Sequence, residues 1–313
     1  MDKSEHERFF RYFHRTALCH YRVSPDLYRL DEDDMGGRLE PVYEQQPPQA
    51  SSLKPWVQVR FGFRRLVDGR VCVAGFIPDL AELPEAEKLI WRAHQIDTPV
   101  FAKDDPAFNR WVGRYLNASW EVEDGPKPKI LCLLRLIRAT TQQTLGGPLF
   151  RFDGNPLINY PVAENTDAYA KAHLELYRLL VDGLDGTILS QLAKRLGVQL
   201  SDPSKTMNTL KELLPSDLVP RIYDPLKKCY DERQKNHGVP QQAIRSDAAF
   251  DNFHKDLVGL ADGLAELSRW LEVTLSVNSD ACLRREEAMS SFPKFSGPPR
   301  PHFKLAELVK AEG

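Results

Sequence analysis

Hydrophobic and polar positions in the first half of the chain change period several times. Phe9-Phe10-Arg11-Tyr12-Phe13-His14 crowds aromatic residues and predicts a helical opening segment. Residues 31–52 turn acidic and rich in Pro, Gln and Gly, and read as a long loop. Trp56-Val57-Gln58-Val59-Arg60-Phe61-Gly62-Phe63 alternates apolar and polar positions for most of its length, the period of a half-buried strand. A second run, Arg70-Val71-Cys72-Val73-Ala74-Gly75-Phe76, follows Asp68-Gly69, and the two predict a β-hairpin. Pro84-Glu85-Ala86-Glu87 opens a helix to about Ala93, with proline in the first turn and acids that complement the helix dipole. Asp104-Asp105-Pro106 opens another to about Leu116, with Phe108, Trp111, Val112 and Tyr115 at helical spacing. Residues 128–140 read as a third helix. The expectation is a mixed region over 1–150, with too few strands for a large sheet.

Residues 151–165 are turn-rich and read as a connector, and no strand pattern follows them. Thr166-Asp167 begins an apolar-periodic helix carrying Leu174, Tyr177, Leu180 and Val181 on one face. Gly183-Leu184-Asp185-Gly186 breaks or bends it, and the next helix runs to Gly197, a C′ glycine. Ser201-Asp202-Pro203-Ser204 caps a helix to Leu214. Pro220 precedes one over 221–236, which Gly238 and Pro240 terminate. Ser246-Asp247 caps a long helix through about Leu275, with Phe250, Phe253, Leu257, Leu260 and Leu264 on its apolar face. The fold expected is therefore an α+β N-terminal domain followed, over 166–277, by an all-α antiparallel helical bundle. The remainder, 278–313, is Pro- and Ser-rich and reads as a loosely held terminus with one short amphipathic helix at 303–309.

Composition narrows the possible functions. At 313 residues, 42% hydrophobic and 27% charged, the chain has the balance of a globular protein. No apolar run approaches the roughly 20 residues of a membrane span, and Met1-Asp2-Lys3-Ser4-Glu5-His6-Glu7-Arg8 lacks a signal peptide's apolar core. A cytoplasmic protein without a membrane partner is expected. Five scattered cysteines, none in a CxxC pair, argue against a disulfide framework or a zinc site. With 42 basic and 44 acidic residues, the net charge of −2 excludes a histone-like nucleic-acid binder but leaves room for an enzyme that touches RNA briefly. Walker A, GxGxxG and GxSxG motifs are absent.

One cluster has suggestive chemistry. Arg233 and His237 stand four residues apart, on one face of the predicted helix. The C-terminal end of the helix dipole favours a protonated imidazole. Arg can hold a scissile phosphate bidentately and stabilise charge developing on it. His can take the 2′-hydroxyl proton or protonate the leaving oxygen. Asn236 can orient either group. This chemistry calls for no metal or other cofactor. The competing reading makes Lys227, Lys228, Arg233, Lys235 and His237 ordinary basic residues that complement a helix end.

Other constellations are weaker. Arg15 and His20 share a similar spacing but fall among packing aromatics. His173-Leu174-Glu175 lacks the cysteine partners of a zinc deaminase. Gly183-Leu184-Asp185-Gly186 is acidic where an RNA backbone would pass, and reads as a kink. Trp91, Trp111, Tyr115 and Trp120 read as core.

The order of the helices, together with Tyr230-Asp231-Glu232-Arg233-Gln234-Lys235-Asn236-His237-Gly238 and the upstream Leu176-Tyr177-Arg178-Leu179-Leu180-Val181, resembles the HEPN superfamily over 166–277. The resemblance implies a homodimer formed through the bundle, with two Arg/His pairs around a shared cleft. It also implies metal-independent cleavage of RNA, in antiphage defence or a toxin–antitoxin system. Only three residues separate Arg233 from His237, a shorter interval than the family usually has. Two readings therefore stay open: an endoribonuclease, or a noncatalytic HEPN-like interaction or sensor module that binds a partner protein or nucleic acid. In either, the N-terminal domain is expected to recognise a further protein or regulate the bundle.

Overall fold

The structure is a computed structural model and describes residues 7–42, 58–116, 125–152, 158–235 and 248–289. In the first half, β1 (Phe10–Phe13), β2 (Tyr28–Glu32), β3 (Gly36–Pro41), β4 (Val59–Arg65) and β5 (Val71–Phe76) form one sheet. The order is β1-β5-β4-β3-β2, and every neighbouring pair is antiparallel. The hairpin expected around Asp68-Gly69 is present. Leu66 N–H donates to Arg70 O at 2.8 Å, and Gly69 takes a φ of 85°.

Three expectations are corrected. The aromatic opening segment is strand β1, because Phe10 and Tyr12 cover one face of the sheet while Phe13 enters the core on the other. The stretch read as a loop contains the end of β2 and all of β3, so the sheet has five strands rather than too few to be large. Its glycines made that stretch look irregular. Gly36, at φ 152°, lies so close to β4 that a Cβ there would stand 2.2 Å from Phe61 O. Glycine is therefore the residue this strand pairing requires.

Both faces of the sheet are covered. Phe10, Tyr12, Cys72, Ala74 and Phe76 pack with Phe108, Trp111 and Val112 of a helix at Pro106–Leu116. On the opposite face, Leu39, Val59, Phe61, Phe63 and Val73 join a core that continues into the helical half. Eleven α-helices are present among the described residues: α1 Cys19–Arg22, α2 Ile77–Ala81, α3 Glu85–Ala93, α4 Pro106–Leu116, α5 Pro126–Leu145, α6 Thr166–Tyr177, α7 Gly186–Leu196, α8 Thr206–Leu213, α9 Val219–Lys235, α10 Ala249–Leu275 and α11 Ser279–Met289. The whole is an α+β architecture.

Some helix ends are closed as the sequence implied, but the cap expected from Ser201–Ser204 is not formed: the N-cap of α8 is Lys205, which supplies no side-chain hydrogen bond. Asn165 accepts from Ala168 N–H at the start of α6. Asp185 accepts from Thr187 N–H and Ile188 N–H at the start of α7, and Gly197 closes that helix at φ 69°. The cap residues expected for α10, Ser246 and Asp247, lie outside the described residues. Ala248, at its N-cap, supplies no side-chain hydrogen bond, and Phe250 N–H is instead accepted by the Glu164 carboxylate at 3.1 Å.

Helix α5 packs along α10, and α9 packs on both α6 and α10. The terminus expected to be loosely held begins instead with α11, packed on α5. Thr140 Oγ1 donates to Ser279 Oγ at 2.8 Å, and Gln143 Nε2 donates to Cys282 O at 2.6 Å. The helix expected at 303–309 lies outside the described residues. Polar bonds tie sheet to helices as well. Arg65 of β4 makes a two-bond pair with Asp251 of α10 at 2.9 and 2.6 Å. Buried Glu32 of β2 accepts from Arg22 Nη2 and from Tyr160 N–H, both at 2.5 Å. No helix among the described residues is long and apolar enough to cross a membrane.

Candidate functional site

Arg233 occupies the last turns of α9, and its neighbourhood is set by the way α6 ends. After Tyr177 the helix widens into a single π-type turn, Arg178–Asp182, before the chain leaves at Gly183. That turn follows directly on Tyr177, whose ring faces α9. The Arg233 guanidinium carbon lies 4.1 Å from the centre of the ring, within cation–π distance. Tyr230, one turn earlier on α9, stands with its ring centre 6.1 Å from that of Tyr177. Burial, reinforced by a hydrogen bond to the Asp182 carboxylate, pushes the Tyr177 phenol above its ordinary range, so Arg233 rests on a neutral ring. Arg233 itself is half-buried, and its Nε is buried without a hydrogen-bond partner among the described residues. Asn236 and His237, the other members of the sequence cluster, lie outside the described residues.

Deeper between the same helices is a cluster with no counterpart in the motif. Tyr169, His173 and Tyr177 follow one another at intervals of four residues along α6. His173 is fully buried, its Nδ1 donating to Tyr169 O at 3.0 Å. Its Nε2 lies 3.2 Å from Asp256 Oδ2 of α10, an ion-pair distance without hydrogen-bond alignment. Asp256 also accepts from the Tyr169 phenol and from Lys228 Nζ, the latter at 2.5 Å. Burial alone would raise the Asp256 carboxyl, but its contacts with His173, Lys228 and Tyr169 outweigh that and hold it below the usual range. Fully buried, with Nδ1 bonded along α6 and Nε2 facing Asp256 of α10, His173 sits in the seam between helices. It is a structural residue, and no group of acids, histidines or cysteines among the described residues could hold a metal.

The constellations given low weight behave accordingly. Arg15 is buried and spent on Glu164 and Pro161 O, and His20 packs edge-on against Tyr21. The Gly183–Gly186 step is held by Arg151 N–H donating to Gly183 O at 2.7 Å and Asp185 N–H donating to Leu149 O at 2.9 Å. Trp91 and Trp111 are core, while Trp120 lies outside the described residues. Sequence reasoning missed the Tyr177 platform under Arg233. The regular spacing of Tyr169, His173 and Tyr177 was the only local signal for it, because the partner side chain comes from more than fifty residues away.

The chain matches no protein-family model, no curated protein and no solved structure. A functional reading therefore stands on these residues and their geometry.

Proposed function

We propose that the protein is a metal-independent endoribonuclease of HEPN type, with Arg233 holding the scissile phosphate and His237 as its acid–base group. Asn236 orients one of the two. The observation that carries this reading is the posture of Arg233. Its guanidinium is braced on the face of Tyr177 at 4.1 Å, while the side chain as a whole is only half-buried. A planar cation fixed on one face in this way retains hydrogen-bond donors for a phosphate, and its position is prepaid before a ligand arrives. His237 follows four residues later in the chain. Pairing of two copies through the bundle would set two such groups around one RNA strand, in the manner of a defence or toxin ribonuclease.

The test is incubation of the purified chain with total RNA in the presence of a metal chelator. Cleavage is expected, and Arg233→Ala and His237→Ala are each expected to reduce it by about 100-fold or more, with little change in melting temperature. Cleavage that persists in both variants would remove the assignment. The second reading is a noncatalytic interaction module, favoured by the partial burial of Arg233. It predicts no cleavage, a stable complex with a partner, and an Arg233→Ala variant that loses stability instead of activity.

A further inference from the structure

The first half contains a cleft of about 640 Å³ that the ribonuclease reading does not use. The volume is within the range of small-molecule sites. It opens where three remote pieces of chain meet: the turn after β1, the Asp68–Arg70 tip of the β4–β5 hairpin, and residues 162–165 ahead of α6.

Two histidines are fixed beside it. His14 is exposed at the cleft wall, and its backbone N–H donates to His94 O at 2.8 Å. The His94 ring stands behind the cleft residue Thr16, whose Oγ1 lies 3.0 Å from Nδ1. Across the cleft, Arg70 spends its Nε on Asp68 Oδ2 at 2.7 Å, and its two Nη groups carry no further hydrogen bond among the described residues. The acids nearby are already matched. Asp68 holds Arg70, and Glu164 holds the buried Arg15. Cys72, in the floor, is kept a neutral thiol by burial, which pushes it up to about 12. The groups left facing the space are therefore hydrogen-bond donors or potential cations, beside apolar surface from Leu66, Val71 and Ile96.

We propose that this cleft binds a phosphate dianion, free or carried as a terminal monoester, between the His14 imidazole and the Arg70 guanidinium. The surroundings of His14 disfavour charge on its imidazole. Burial, then the neighbouring Arg70 and His94, hold the His14 imidazole below its usual value. A dianion reverses that balance, since each cation it meets is stabilised. Binding near neutral pH is accordingly coupled to proton uptake by His14. The charged and titratable groups lining the cleft with His14 are Arg15, Asp68, Arg70, Cys72 and Glu164, and His94 stands behind Thr16. The inference does not depend on Arg233 or His237.

The test is calorimetric titration of the full chain with inorganic phosphate, with 5′-AMP and with adenosine, at about pH 8, where both phosphates are largely dianions before they bind, in two buffers of different ionisation heat. Phosphate or AMP is expected to bind with a buffer-dependent heat that reports proton uptake. His14→Gln and Arg70→Gln are each expected to weaken binding about tenfold, roughly 1.4 kcal/mol, with unchanged melting temperature, as both side chains are exposed. AMP binding tighter than phosphate would identify a monoester on an apolar body as the ligand, and equal affinities would identify free phosphate. The proposal is overturned if neither binds, if adenosine binds as well as AMP, or if both variants bind like the parent.

Discussion

Asp33 sits at the chain reversal between β2 and β3, where burial opposes its charge. Its Oδ1 accepts from Met35 N–H and Gly36 N–H at 2.8 and 3.0 Å, and Arg114 lies 3.6 Å from Oδ2. Desolvation, helped by neighbouring Asp34, still dominates and raises the carboxyl from 3.8 to about 6. A carboxyl raised on folding stabilises the protein in its protonated form. The contribution is complete below about pH 4 and is lost as the pH rises through 6. Two units correspond to roughly 3 kcal/mol. Asp33→Asn keeps the acceptor for both backbone bonds and removes the ionisation. Its stability is expected to exceed that of the parent by an amount that grows from near zero at pH 4 to about 2–3 kcal/mol at pH 7.5. Denaturation at a series of pH values reads this directly, and a difference independent of pH would refute it. At the same scale, Arg233 was legible in the sequence because its type and helical position were local facts. Tyr177 beneath it was not, and nor were His14 and Arg70, because only strand pairing and helix packing bring those residues together.

Among the elements, the helices were the more legible. Their caps and apolar period are local, so α6, α7, α8 and α9 begin and end within a few residues of their expected limits. The strands failed where both faces are buried, since β1 then shows crowding instead of alternation, and where β3 needs glycine for close approach. One helix pair depends on such an approach too. Pro225 interrupts α9 and has no N–H to offer, which leaves Arg221 O without its usual partner four residues on. Helix α10 comes in against that carbonyl at Gly263, where a Cβ would stand 2.7 Å from Arg221 O. Gly259, one turn earlier on α10, has nothing within 4 Å of its Cβ position. Alanine should therefore act oppositely at the two sites. Gly259→Ala is expected to stabilise by about 0.5–1 kcal/mol through helix propensity. Gly263→Ala is expected to destabilise by about 1–3 kcal/mol, as α9 is forced away. Urea midpoints for the two variants provide the measurement, and equal gains would contradict the close packing.

For the whole molecule, the sheet and the helices share one continuous apolar core, from Phe61 and Phe63 of β4 through Leu134 of α5 to Leu257 and Leu264 of α10. Neither half can expose its side of that core without loss. A single cooperative thermal transition is expected, with fluorescence of the five tryptophans, among them Trp91 and Trp111 in the first half and Trp270 in α10, coinciding with far-UV circular dichroism from the helices. Two separated transitions would show halves that are stable independently.

The cap of α10 has a consequence for the order in which the chain assembles. Glu164, which accepts Phe250 N–H and pairs with Arg15, lies 86 residues before the helix it caps. The first turn of the longest helix is thus completed by a long loop closure, and such closures are made late when nearer contacts are available. Glu164→Gln, which leaves the buried Arg15 charge unpaired, is expected to accelerate unfolding while leaving the refolding rate nearly unchanged, a φ-value below about 0.3. Slower refolding in stopped-flow experiments would instead place that contact in the nucleus. In kinetic terms, a low φ-value there would make the first turn of α10 the last part of its helix to form and the first to be released.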